Sequence, residues 1–270
     1  MNKTSKKSSS NFSGMFAGAA ILICLIVGHL IFHLIMGNGA NFEGGTNEGH
    51  PLPGNYLGIV YKGGFIVPVL MSFFLIVFVV SIERFLTLGK ASGAGSIESF
   101  VFKVRDLLSA NNIDGAIAEC DKQKGSVGNV VRATLEKYRE MTTATNFDKD
   151  QKIAAIQKQT EEATSLELPM LEKNLSILST LASVATLVAL LGTVLGMIRA
   201  FAAMSSAGAP DATALATGIS EALINTAIGI GTSAISIICY NFFTTKIDGL
   251  SYTIDEAGLS IASTFNTNYK

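Results

Sequence analysis

The chain has 270 residues, 49% of them hydrophobic and 15% charged, with 20 Lys and Arg against 21 Asp and Glu. Ordinary soluble domains carry roughly 25% charged residues; this composition, with a mean hydropathy of +0.42, argues against a purely soluble enzyme and against a disordered chain. A formal net charge of −1 gives no general affinity for nucleic acid.

The few charges are unevenly placed. Gly14 to Leu34 contains no Asp, Glu, Lys or Arg, only His29 and His33. Gly63 to Ile82 and Asn174 to Ile198 contain none, and in Ala212 to Thr245 the one charge is Glu221. Each stretch reaches the ~20 residues that a helix needs to cross a bilayer, and backbone in lipid must satisfy its own hydrogen bonds. Four spanning helices are therefore predicted, at about 14–36, 63–86, 176–204 and 213–241. The first follows a basic start (Lys3, Lys6 and Lys7). It is too long for a signal-peptide core and lacks a small-residue cleavage site, so a retained anchor is expected.

Lys and Arg set orientation. Residues 37–62 are rich in Gly and Asn, with Lys62 the one basic residue, and 205–212 has none, whereas 83–175 holds most of the Lys and Arg. Both termini and residues 83–175 are expected on the cytoplasmic side, with 37–62 and 205–212 outside. On that layout Cys24, Cys120 and Cys239 form no disulfide framework.

Residues 83–175 read as helices. Ile97, Phe100, Val101, Val104, Leu107 and Leu108 recur at helical spacing. Asn112 to Cys120 opens a second helix, with Asp114 its cap or first-turn acid. Val127 to Met141 is a third, and Asp148 to Leu168 a fourth, capped by Asp148. The charges here are a solvated face or a docking surface for a regulator. The fourth helix is expected to run on into the third span, kinked but not ended by Pro169, which makes a helix from 150 to 204 about 80 Å long. The fourth span is expected to continue past Tyr240 toward Leu259.

Glu221 is the sharpest chemical signal. A carboxylate within a span costs roughly 2.5–3.5 kcal/mol on insertion scales. It must meet protein, water or a proton. Either it moves ions, or it is a buried acid hydrogen-bonded between subunits. Asn225, Thr232 and Ser236 fall on its face, with Thr226 beside Asn225. Ser179, Ser183, Thr186 and Thr193 form a comparable stripe on the third span. Such hydroxyls line a polar lumen, glue helices together or bond back to their own helix. Gly192 and Gly196, with Gly218 and Gly229, allow close helix packing. Arg199, near the outer end of the third span, either snorkels or pairs with Asp211 or an anionic partner group. Glu83 and Arg84 anchor the second span. His29 and His33 lack a third ligand, so no metal is expected. No phosphate loop, dinucleotide fingerprint, serine-hydrolase elbow or zinc spacing is present. The chain is not read as an enzyme, no cofactor is expected, and its energy source would be an ion gradient.

Two segments carry a resemblance. Leu190-Leu191-Gly192-Thr193-Val194-Leu195-Gly196-Met197-Ile198, and Gly218-Ile219-Ser220-Glu221-Ala222-Leu223 through Thr226-Ala227 to Gly229, resemble the two membrane signatures of the MotA/TolQ/ExbB proton channel family, nearest its ExbB branch. Residues Asp114 to Leu135 and Glu83-Arg84-Phe85 are similar to further family segments, and the likeness covers about 63–245. It implies an inner-membrane homo-pentamer that encloses an ExbD-like single-span partner with a membrane Asp and drives a TonB-like transducer. It also implies that Thr193 and Thr226 are polar pore-lining residues and Glu221 the motif acid; the polar stripes add Asn225 and Thr186 to this expected proton path. Thr186 and Ser236 stand where the family usually has Pro, and Ala189 where it often has Gly. The first span lies outside the likeness.

The expected fold class is all-α: a multi-pass membrane protein with four transmembrane helices and long helices extending into a cytoplasmic helical bundle. The expected organisation is 1–36, tail and extra helix; 37–62, periplasmic loop; 63–86, second span; 87–175, cytoplasmic helical domain; 176–245, the pore-forming pair; and 246–270, a cytoplasmic C-terminal helix or tail.

Overall fold

The computed structural model describes residues 8–205 and 212–269, with side chains from 18–204 and 212–269. Among the described residues there is no strand, only one isolated bridge between Phe42 and Pro51. Four helices are long and apolar enough to cross a membrane, so the all-α, four-span architecture stands. The chain divides into two compact units, one of residues up to Ile82 with Ser176–Tyr240, the other Glu83–Leu175 with Asn241–Lys270.

In the first unit, α1 (Ser8–Leu30) passes into one π-helical turn, Ile31–Met36. The Gly37 N–H donates to Phe32 O, five residues back. A helix end leaves carbonyls unsatisfied, and here buried Asn41 takes two of them. Its Nδ2 donates to Ile35 O at 2.8 Å and Met36 O at 3.0 Å, while its Oδ1 accepts from Asn55 Nδ2. Asn55 in turn caps α2 (Tyr56–Tyr61) by accepting from the Gly58 N–H. Tyr61 stacks on Phe32 at 4.7 Å and meets the edge of Phe42. Residues 37–62, read as a Gly- and Asn-rich loop, are thus a folded segment whose Asn side chains serve as caps.

α3 (Val67–Ala91) starts four residues later than the apolar run. Gly63 and Gly64 form a turn first, with Gly64 at φ +82, a conformation that only glycine adopts without strain. Pro68 then sits in the first helical turn, where a missing N–H costs no bond. α1 lies against α3 at Gly28, where a Cβ would overlap Ser72 Oγ. α8 (Leu175–Ser205) and the start of α9 (Ala212–Asn268) complete this unit. Ile66, Leu70 and Ala189 form a small shared core.

The second unit gathers α4 (Ile97–Ser109), α5 (Ile113–Gln123), α6 (Gly125–Thr143), α7 (Lys149–Glu172) and the last part of α9. Ser96 caps α4. Asn112 caps α5, with Asp114 in its first turn. Asp148 caps α7 in a reciprocal capping box with Gln151, satisfying two otherwise open N–H groups. The apolar stripe of α4 buries Phe100, Val104 and Leu108 in a core that includes Leu135, Tyr138, Ile156, Ile254 and Phe265. Thr134 and Thr160 pair their hydroxyls at 3.0 Å.

The continuous helix expected over 150–204 is not formed. α7 ends at Glu172, Asn174 takes φ +63, and α8 begins at Leu175. Pro169 lies inside α7 and is not the break. The break is stabilised from α3. Arg84, 1% exposed, donates from Nη1 to Leu171 O at 3.0 Å and Met170 O at 3.4 Å. A cation on the last carbonyls of a helix is favourable, and a left-handed Asn is a common terminator. Glu83 binds Arg84 through both carboxylate oxygens and accepts from Asn174 and Thr87. α9, by contrast, runs unbroken past Leu259 to Asn268, about 85 Å at 1.5 Å per residue.

Candidate functional site in the α8–α9 pair

The facing residues of α8 and α9 are small. A Cβ built on Gly196 would stand 3.0 Å from Gly218 O, and one on Gly192 2.8 Å from Asn225 Cγ. One on Gly218 would stand 2.6 Å from Ala200 Cβ, and one on Gly229 would overlap Ala189 Cβ. Association in lipid rests on van der Waals packing and interhelical hydrogen bonds. Removing side chains at the crossing provides the first and lets the flanking polar groups make the second.

Those groups meet in two places. Thr193 and Thr226 place their hydroxyls 2.5 Å apart. Each hydroxyl also reaches a carbonyl of its own helix at 3.0 Å, Thr193 that of Ala189 and Thr226 that of Ala222, so the pair shares its two protons between the cross-helix contact and the backbone. Nearer the ends that flank residues 206–211, Arg199 Nη1 donates to Glu221 Oε1 at 2.7 Å. The guanidinium also lies 5.0 Å from the centroid of the Phe65 ring, a favourable cation–π geometry. Glu221 is 6% exposed, whereas the Arg199 side chain is about half exposed at 49%. The acid is thus enclosed by protein and neutralised by a cation with one edge open. Among the described residues Glu221 is the partner of Arg199; Asp211 lies outside them.

Asn225 is wholly buried. Its Nδ2 donates to Gly63 O at 3.0 Å, and its Oδ1 has no hydrogen-bond partner among the described residues. Gly64 covers Glu221 so closely that a Cβ there would overlap the carboxylate. The polar face Glu221, Asn225, Thr232 and Ser236 is therefore buried inside the first unit. Ser236 holds α9 to α8 by donating to Leu178 O at 2.8 Å, Ser233 does so through Ala182 O, and Thr232 bonds back to Ile228 O. The α8 stripe divides. Thr193 joins the site, Thr186 is half-buried, and Ser179 and Ser183 are exposed.

Sequence reasoning missed the Gly63-Gly64-Phe65 turn as part of this site. A Gly-Gly pair directly before an apolar run is a turn signal, but nothing local indicates that its backbone will cover an acid 157 positions later. The role of Arg84 was also missed: it reads as a membrane anchor and proves to hold the end of α7.

Similarity to known proteins falls on the same region. Residues 122–256 match the model of the MotA/TolQ/ExbB proton channel family. The Tol-Pal system protein TolQ of Pseudomonas aeruginosa is 30% identical over 124 residues, 46% of this chain and 54% of its own length. The biopolymer transport protein ExbB of Helicobacter pylori is 43% identical over 81 residues, 30% of this chain and 56% of its own. An ExbB-like protein of Synechocystis sp. is 39% identical over 85 residues, 31% of this chain and 40% of its own. The chain thus spans about half the length of these relatives.

Proposed function

Since the chain belongs to the MotA/TolQ/ExbB proton channel family, we propose that it is an ExbB-like subunit of an inner-membrane motor that couples the proton motive force to TonB-dependent outer-membrane transport. It forms a homo-oligomer, a pentamer by family resemblance, around an ExbD-like single-span partner. It keeps both termini and residues 83–175 on the cytoplasmic side. Protons pass inward along a path that includes Glu221, Asn225, Thr193 and Thr226, with Thr186 further along α8.

One observation carries this reading. Glu221, the one charged residue between Ala212 and Thr245, is held inside the protein by Arg199, on the same helix pair as the Thr193–Thr226 hydroxyl contact and within the matched region. A single charge crossing 100 mV is worth about 2.3 kcal/mol, so a path through this site can deliver work without nucleotide hydrolysis. Glu221→Gln is expected to assemble and to lose proton-coupled uptake; intact uptake in that variant would leave a non-conducting scaffold as the better description. A TolQ-like role is the second reading, supported by the likeness to TolQ, 30% identical over 124 residues. Complementation separates the two: rescue of TonB-dependent uptake supports the first, rescue of outer-membrane integrity in a strain without TolQ the second.

A further inference from the structure

An open cavity of about 490 Å³ lies between residues 48–62 and the first turns of α9. Glu48, His50 and Lys62 line it from one side, Thr213, Thr217 and Ser220 from the other. Its first wall lies outside the family-matched residues and is well braced. Lys62 Nζ donates to Asn47 O at 2.9 Å and Glu48 O at 3.1 Å, and lies 5.4 Å from the centroid of the Phe42 ring. With water occupying ~30 Å³ in the liquid, the space holds on the order of ten molecules.

The cavity adjoins the acid site from both walls. Ser220 precedes Glu221 on α9. Lys62 precedes Gly63, whose carbonyl accepts from Asn225, and Gly64, whose Cα lies against the Glu221 carboxylate. The chain passes from the cavity wall to the acid in two residues that have no side chains. Asn225, held to the Gly63 carbonyl by its Nδ2, keeps a buried Oδ1 with no partner among the described residues. Such an orphan costs about 1–3 kcal/mol, and a water reaching it would remove that cost.

We propose that this cavity is a water-filled vestibule that gives hydrated protons access to Glu221 and Asn225 from the outer face, within one protomer, with the Gly63-Gly64 backbone linking its Lys62 wall to the acid. Ser220, Thr217 and His50 supply exchangeable hydrogen-bonding groups along it. The inference rests on the proton-channel reading and adds the place of entry.

The test uses the full complex in cells, in a background with Cys24, Cys120 and Cys239 replaced by Ser. Ser220→Cys and Thr217→Cys are treated from outside with a membrane-impermeant anionic methanethiosulfonate, and proton flux is measured before and after. Glu43→Cys, exposed on the same segment but off the cavity, is the labelling control. Both cavity cysteines are expected to label, and labelled Ser220→Cys to lose at least five-fold in flux, with the Glu43→Cys control unaffected. Failure of both to label while Glu43→Cys labels overturns the vestibule. So does complete labelling of either with undiminished flux, provided Glu221→Gln has lost its flux. Flux retained in Glu221→Gln is a different failure, that of the channel reading itself.

Discussion

Arg84→Met removes the cation that holds the end of α7. The fork of Arg84 bonds both oxygens of Glu83, and Nη1 reaches Leu171 O. Breaking a buried, hydrogen-bonded ion pair costs roughly 3–5 kcal/mol, because the remaining charge is stranded. Glu83 keeps Thr87 and Asn174 as donors and is 27% exposed in its side chain, so the lower end applies, about 3 kcal/mol. At ~1.4 kcal/mol per decade, that corresponds to roughly a hundred-fold faster hydrogen exchange over residues 166–175, read by mass spectrometry on the intact complex. Arg84→Lys keeps a charge but loses the planar fork. It should fall between, at about tenfold. Exchange in Arg84→Met indistinguishable from the parent over this stretch would mean that the α7 terminus is held by something else, and would refute the assignment of the break to Arg84.

Arg199→Met should destabilise the assembled protein more than Glu221→Gln does, because Gln can still accept from Arg199 whereas Met leaves the carboxylate without a cation; because Arg199 is half exposed, the cost is expected below the ~3–5 kcal/mol of a fully buried pair, and equal thermal survival of the two variants in detergent would contradict the pairing. Asp148→Ala removes the capping box of α7 and should cost about 1 kcal/mol, with exchange rising over residues 148–152 and not elsewhere. Burial, with the neighbouring Asp121 charge, pushes the Cys120 thiol up to about 12 from 9.0. The folded state then holds this proton more tightly than the unfolded chain does. Its contribution is complete below pH 9 and is lost as pH rises from 9 toward 12. Cys120→Ala should flatten the fall in melting temperature over that window, and native Cys120 should resist alkylation at pH 8.

Much of the fold was legible because lipid permits so few solutions. A long run without charge has to be a helix, so α1, α3, α8 and α9 follow from where Asp, Glu, Lys and Arg are missing. The caps at Asp148 and, in its first turn, the acid Asp114 were legible because they act within one turn of their own helix. The break at Asn174 was not. Pro169 is the local signal, but a proline can be carried inside a helix, and the group that stabilises the actual end comes from Arg84, about 90 positions away. Residues 37–62 were illegible for a related reason. Asn reads as a loop former, and that Asn41 and Asn55 would bond each other and two helix ends depends on contacts no window of sequence contains.

The same limit shaped the reading of Glu221. Its place as the one charge in the 34 residues from Ala212 to Thr245 marked it as costly, and cost is what makes an intramembrane acid informative. Isolation in sequence nevertheless says nothing of who shares the cost. Arg199 stands 22 positions away on the preceding helix, where Asp211 was the nearer acid in sequence. Because the carboxylate is already paired with Arg199, it must exchange one partner for another if charge is to move through the site. Arg199, with one edge exposed and the other on Glu221, is where that exchange would register, so proton movement and the strength of the Arg199–Glu221 pair should be coupled rather than independent.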